Sequence, residues 1–522
     1  MIPLSFSRHE QAGHGIGARF RRVVRHARTP RSLPALIWKN VNYAIWKNIK
    51  FAFASRRPSF WNELGRGLAA RERYEEALVC YDYALTLKGD VPQIWNNRGN
   101  TLRNLDRLDE AEKSIREALR LKPDFANAHY NLAIVLDYLG HFEEAEASVR
   151  TALRLQPEHA FAHSNLGDIL YNLGRAGEAE ASYRTALRLS PENAVWRVSL
   201  GLTLLLGGRL EEGWKEFEWR WQMERMGTLG RPFPLPPWNG EPIGDRVILL
   251  LADEGNGDTL QFCRYVPQVA SCAGRTILAV QPDLVRLLSR LPGVSEIIPE
   301  GVRPPSFDLW CALMSLPYAV GTTLETIPAT TPYLTADPVD VAHWCKRLAG
   351  FAGLRVGLCW AGGQSSNLRQ IVVDRRRSIT LDALAPLGEV SGVQFISLQK
   401  GPPAAQALRP PPGMELHDFA EDLHDFADTA ALIDNLDLVI SVDTAVAHLT
   451  GALGRPVWVL NRFDTCFRWP RDREDSPWYP SARQFRQLTP GDWSSVISRA
   501  QGALQRLVEG DRSQLRPSTG RL

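Results

Sequence analysis

The chain has 522 residues, 44% hydrophobic and 23% charged, which excludes a disordered, collagenous or channel-like protein and predicts about three domains at roughly 150 residues each. Its net charge of +3 is unevenly spread: residues 1–57 hold twelve Lys or Arg against one acid, Glu10, a net +11, so the rest of the chain carries −8. No run approaches the ~20 apolar residues of a membrane-spanning helix, because the longest uncharged one, near Leu309 to Leu324, is broken by Pro317 and Gly321.

The basic arm, residues 1–58, mixes Arg with Gly, His and Ser and then gives way to LIWKNVNYAIWKNIKFAFA over Leu36 to Ala54. That segment predicts a basic helix with Trp38, Val41, Ile45 and Ile49 on one side. It either lies peripherally on anionic lipid or docks on the first repeat that follows. A secretory signal is not expected, since the apolar stretch is far from the start and lacks a clean cleavage site. Nucleic acid is not expected as a partner, because a charged arm reads no bases.

Residues 59–225 repeat with a period of 34. Leu68, Leu102, Leu136, Leu170 and Leu204 are in register, as are Ala77, Ala111, Ala145 and Ala179; Ala84, Ala118, Ala152 and Ala186; and Pro123, Pro157 and Pro191. A small residue recurs at Gly65, Gly99, Ala133, Gly167 and Gly201, where two helices approach, while Tyr81, Ile115, Val149, Tyr183 and Phe217 fill the seam. The period and pattern are those of tetratricopeptide repeats, about five of them, the last degenerate, and they predict an α-solenoid with a concave face. Asn97, Asn131 and Asn165 form a ladder along it. An amide donates and accepts, so this ladder either holds an extended peptide or bridges neighbouring helices. The position is similar to the asparagine ladder of the O-linked N-acetylglucosamine transferases.

A Pro- and Gly-rich linker, residues 226–245, ends the solenoid. Beyond it short apolar runs at 247–252, 276–280, 356–360, 394–398, 438–442 and 457–460 alternate with helical segments, which predicts βαβ units and parallel sheets. The length suits two doubly wound halves, residues 246–348 and 349–508, with a flexible tail at 509–522. The seven cysteines form no CxxC pair, which argues against a zinc knot or a disulfide framework and suits a reducing, cytoplasmic setting.

Ligands of such folds bind outside the carboxyl ends of strands, and three strand ends carry chemistry. At GNGD, 255–258, two glycines permit a tight turn, but Asp258 at the helix start would compete with a pyrophosphate for the same amides. Asp258 is therefore either a general base for an acceptor hydroxyl or a plain helix cap. At 359–381 a strand opens into Gly362 and Gly363, and Arg375, Arg376 and Arg377 follow; an arginine fork suits phosphate, although surface charge is the usual fate of such a run. At 436–460 a buried strand ends at Asp443, and Thr444 and Ala445 start a helix whose free amides suit a diphosphate, with His448 one turn on.

Together, GNGD, RRRS at 375–378, SLQKG at 397–401, DFADTAALI at 425–433 and SVDTAVAHLTGALGRPVW at 441–458 resemble the two-Rossmann (GT-B) glycosyltransferases of the lipopolysaccharide heptosyltransferase kind, family 9. The closest likeness is to bacterial proteins that join tetratricopeptide repeats to such a domain. The resemblance implies Asp258 as the catalytic carboxylate, Arg377 on the donor phosphates, Lys400 near the donor ribose, and Asp443, Thr444, Ala445 and His448 as the donor-binding segment. It departs in its short first half and in Arg377, where Lys is more usual. The expectation is an inverting sugar transfer from a nucleoside diphosphate sugar to a hydroxyl, with no metal or other cofactor and with the repeats recruiting a protein. The rivals are a non-catalytic adaptor with a degenerate α/β half, and a membrane-surface or nucleic-acid binder working through the arm.

Overall fold

The computed structural model describes residues 56–223, 233–363, 368–464, 466–471 and 473–517. The basic arm with its expected helix, most of the first half of the linker and the last five residues lie outside these. The chain divides into two compact units, between Leu166 and Gly167 in sequence.

The first unit is a run of antiparallel helices: α1 (Pro58–Ala69), α2 (Tyr74–Leu87), α3 (Pro92–Asn104), α4 (Leu108–Leu121), α5 (Ala126–Leu139) and α6 (Phe142–Leu155). The 34-residue register becomes its seam. Ala77, Ala111, Ala145, Ala84, Ala118 and Ala152 are wholly buried, as are Ile115 and Val149. A Cβ at Gly99 would sit 2.4 Å from Cγ1 of Ile115, so the small residue of one helix admits the large one of the next. Second helices start with acids, such as Asp109 and Glu110 or Glu143 and Glu144, which favours the positive end of the helix dipole.

The second unit contains the last repeat helices, α8 (Ala176–Leu189), α9 (Ala194–Leu206) and α10 (Leu210–Phe217), counting Ala160–Asn172 as α7. Two all-parallel sheets follow. The smaller has the order β3-β2-β1-β4, with β1 at Gly244–Leu251, β2 at Ala273–Val280, β3 at Glu296–Pro299 and β4 at Leu309–Ala312. The larger has the order β10-β9-β8-β5-β6-β7, with β5 at Leu354–Cys359, β6 at Val393–Ser397, β7 at Leu416–Asp418, β8 at Leu438–Val442, β9 at Val457–Asn461 and β10 at Ala482–Arg486. Apart from shorter turns, the helices between these strands are α11 (Asn256–Phe262), α12 (Pro338–Arg347), α13 (Leu368–Arg377), α14 (Phe426–Ile433) and α15 (Ala445–Ala452), and α16 (Trp493–Val508) follows β10.

The chain reverses its direction of travel through the sheet between β1 and β4 in one case and between β5 and β8 in the other. These are the points where parallel sheets open a crevice. The strand ends at Asp253–Asp258, Gly362 and Asp443–Thr444 are the ones that lead into them.

The last repeat helices share a core with the sheets. Trp214 packs edge-on to Phe262 at 5.6 Å and to Phe467 at 5.3 Å, joining α10 to both halves. Arg220, 1% exposed, bonds Asp253 at 3.0 Å and Ser315 at 2.6 Å between the rings of Phe217 and Trp221. The latter part of the linker is ordered against β4, where the Trp238 amide donates to the Trp310 carbonyl at 2.7 Å. Among the described residues no helix is long and apolar enough to cross a membrane.

Candidate active site

Asp258 is the third residue of the short helix α11, in the smaller-sheet half. Its Oδ2 accepts the Gly255 amide at 3.2 Å, so it does take part in capping the turn. Its Oδ1 accepts from Nη2 of Arg468, which the loop after β9 brings from the other half. Burial pushes the Asp258 carboxyl above the ordinary carboxylate range against the pull of Arg468, and the nearby acids Asp253 and Asp443 add to the rise.

Opposite it, β8 ends and α15 begins at once, with Thr444 extended at φ −139° and ψ 171°. The Thr444 hydroxyl is turned inward to Ser441 Oγ at 2.9 Å and Cys359 Sγ at 3.6 Å. It therefore does not cap the helix, and the first amides of α15 have no acceptor within their own helix. The two helices meet closely: a Cβ at Gly257 would stand 3.6 Å from Cα of Ala445 and 3.0 Å from Cδ2 of His448.

His448 is buried. Its Nδ1 bonds the Tyr479 hydroxyl at 2.9 Å, its Nε2 lies 3.7 Å from Asp443 Oδ1, and Trp469 stacks on it at 5.7 Å. Burial drives the imidazole down to about 3, against Asp443, with Arg468, Arg264 and Arg377 repelling its charge further. The ring is thus neutral at ordinary pH, and the facing carboxylate selects the Nε2–H tautomer. Burial also opposes an anion at Asp443, yet its carboxyl is held below the usual range by His448, Arg377, the Trp469 indole N–H at 2.8 Å and Arg468. With the imidazole uncharged, the two guanidiniums and the indole perform that task.

Arg377 closes the third side from the end of α13. Its Nη1 donates to the Asp443 carbonyl at 3.2 Å and its Nη2 pairs with Asp374 at 2.5 Å. The guanidinium lies across Gly362, where a Cβ would stand 2.7 Å from Nε. Nε is buried and has no hydrogen-bond partner among the described residues, an expensive arrangement for a charged donor unless a ligand's oxygen completes it.

The structure thus brings Asp258, Arg377, Asp443, Thr444, Ala445 and His448 together. Lys400 is committed elsewhere: its ammonium donates to the carbonyls of Ala420 at 2.6 Å and Leu423 at 2.8 Å, fastening the loop beyond β7. Its neighbour Gln399 is buried beneath the end of β5, its Oε1 accepting from the amides of Trp360 and Ala361 at 3.0 and 2.8 Å. Sequence reasoning missed Arg468, Trp469 and Tyr479, which lie in an irregular loop whose spacing follows no period.

The asparagine ladder lies in the first unit. The side-chain amides of Asn97 and Asn131 donate to Asn62 and Asn96, each at 2.9 Å, so two rungs bridge neighbouring helices. The third rung differs because the equivalent partner position is Tyr130, and the buried Oδ1 of Asn165 has no partner among the described residues.

An α-solenoid followed in sequence by two all-parallel sheets defines a repeat protein with an α/β domain. Residues 90–158, 130–194 and 165–213 match tetratricopeptide repeat models, and residues 424–490 match glycosyltransferase family 9 (heptosyltransferase). The chain therefore carries tetratricopeptide repeats plus a heptosyltransferase-family domain, and the matched stretch of the latter contains Asp443, Thr444, His448 and Arg468. Protein FlbA of Caulobacter vibrioides is 27% identical over 331 residues, covering 58% of this chain and 54% of that protein, so the match spans about half the relative's length. Among solved structures, YrrB, described as a TPR protein with an unusual peptide-binding site, is 22% identical, with 31% of this chain and 84% of that chain covered at a TM-score of 0.28. A thermophilic TPR protein of Thermus thermophilus is 24% identical, with 31% and 88% covered at a TM-score of 0.28.

Proposed function

We propose that the protein transfers a sugar from a nucleoside diphosphate sugar to an acceptor hydroxyl by direct displacement, inverting the anomeric centre, in a GT-B arrangement of its two halves. The observation that carries this reading is the meeting of Asp258, from one half, with the Thr444–His448 helix start, from the other, across the Gly257 contact. The diphosphate sits on the amides of Ala445 and Val446 and on Arg377, whose unsatisfied Nε supports an oxyanion there. As the glycosidic oxygen leaves, the charge building on the diphosphate is met by that guanidinium and by the positive end of α15. These cationic groups supply the stabilisation for which other transferases use a divalent ion.

Asp258 accepts the acceptor's proton. Its raised pKa makes it a stronger base than a solvated aspartate, and a carboxylate with one donor on each oxygen keeps two lone-pair sites open. With Asp258 acting as a base and no nucleophilic carboxylate taking part, the displacement occurs once and configuration inverts. The repeats bind a protein or peptide that is the acceptor or presents it, in the cytoplasm, and the basic residues 1–57 make a peripheral contact with the inner membrane face.

The test is the transfer rate of Asp258→Asn with intact nucleotide binding. Loss of a general base costs about 10²- to 10⁴-fold. A variant that transfers sugar at the wild-type rate, or a wild type that transfers none, returns the chain to the adaptor reading.

A further inference from the structure

We propose that Arg468 is a positioning residue for this reaction: carried by the loop after β9 in the larger-sheet half, it reaches Asp258 in the other half and sets that carboxylate's orientation and charge for work as a base. The inference rests on the glycosyl-transfer reading and names a residue which that reading does not need.

The geometry is that of a built contact. Nη2 of Arg468 donates to Asp258 Oδ1, and Nε donates to Gln261 Oε1 at 2.5 Å, one turn further along α11. A planar fork bound at two points of one helix fixes that helix edge as a lysine could not. The guanidinium lies over Phe467 at 4.4 Å, and its side chain is only 14% exposed. The loop backbone is braced as well: Ser476 Oγ donates to the Arg468 carbonyl at 2.9 Å, and Arg486 donates to the Trp469 carbonyl at 2.7 Å. A surface arginine pairing casually with a carboxylate would have none of this support.

The consequence is a base that is complete only when the two halves are together. The groups acting on Asp258 are Asp253 beyond β1, Asp443 before α15, the Gly255 amide and Arg468 on the loop. Arg468 is the cation of this set. Without it, burial and two acids act on Asp258 against the Gly255 amide alone, and the carboxylate takes up a proton at higher pH. The strength and aim of the base therefore depend on a residue carried by the other half.

The experiment compares wild type, Arg468→Gln and Arg468→Lys by kcat, donor KM and the pH dependence of kcat/KM. An opposite charge within hydrogen-bond reach lowers a carboxyl by about 1 to 3 pH units. Arg468→Gln should therefore move the acid limb of the profile upward by about that amount and lower kcat near neutrality by about 10- to 100-fold, leaving donor KM within about threefold. Arg468→Lys should return the limb most of the way while kcat stays low, because charge is restored and the fork is not. An unmoved limb in Arg468→Gln, or a loss entirely in KM, overturns the assignment. Should Arg468→Gln fail to fold, Arg468→Lys decides: reduced kcat on an unmoved limb supports it, and wild-type kcat overturns it. A carbon-13 titration of the Asp258 carboxyl, identified by its loss in Asp258→Asn, reads the same shift without turnover. A protein that transfers no sugar but shows that shift would refute the enzyme reading and keep the Arg468–Asp258 coupling; no shift would refute the coupling itself.

Discussion

Gly257 lies so close to His448 that a Cβ on it would stand 3.0 Å from the imidazole's Cδ2. This contact holds α11 of one half against α15 of the other. Gly257→Ala should force the imidazole or α11 to shift, at about 1 to 3 kcal/mol. Thermal unfolding reads the stability change and kcat reads the displaced base; wild-type values of both would mean that the two helices do not meet as described.

Arg377 should matter more for rate than for folding. Removing one preorganised donor costs about 10²- to 10³-fold in kcat, so Arg377→Ala should fall in that range. Arg377→Lys should recover part of the loss, since at the proposed donor site a point charge would still face a diphosphate while the fork across Gly362 is gone. Steady-state kinetics with a nucleoside diphosphate sugar checks both, and Arg377→Lys weaker than Arg377→Ala would place the guanidinium away from the phosphates.

His448 gives a pH signature. Folded, its imidazole titrates at about 3, whereas unfolded it titrates near 6.5. Below pH ~6.5 the unfolded chain takes up the proton first. Stability is therefore full above that pH and declines as pH falls towards 3, by at most about 1.4 kcal/mol per pH unit for this one proton. Urea midpoints of wild type should fall across this window, and those of His448→Gln should fall less. Equal slopes would show that the imidazole is not held neutral.

Trp214 is the keystone of the shared core of the second unit. Trp214→Ala should cost about 3 to 5 kcal/mol. Trp214→Phe should cost less, because the buried indole N–H has no partner among the described residues and its removal relieves a penalty. Chemical denaturation of both variants checks the ranking.

The parts legible in the sequence were those written in a period. A 34-residue register predicted the paired helices of the repeats, and β8 falls at Leu438–Val442, where its apolar run predicted it. Strands β3, β4 and β7 were missed because they have three or four residues, and the five-residue β10 because it lacks an apolar run. LHD and ARQFR show no apolar run, and pairing to neighbours rather than propensity makes them strands. At the site, a strand-turn-helix pattern led to Asp258 and Thr444. Arg468 was not legible, because only the tertiary course of the loop brings it to a carboxylate 210 positions away. Lys400 shows the converse: its sequence position suggested the donor, while two nearby carbonyls claim its ammonium.

Thermal unfolding of the full chain with a panel of purine and pyrimidine nucleoside diphosphates and their sugar esters tests the central claim most directly. At ~100 times its dissociation constant a ligand stabilises by about 2.7 kcal/mol, so at least one diphosphate should raise the midpoint by several degrees in wild type and in Asp258→Asn, and much less in Arg377→Ala. A panel in which no diphosphate moves the wild-type midpoint would contradict a donor site at Thr444.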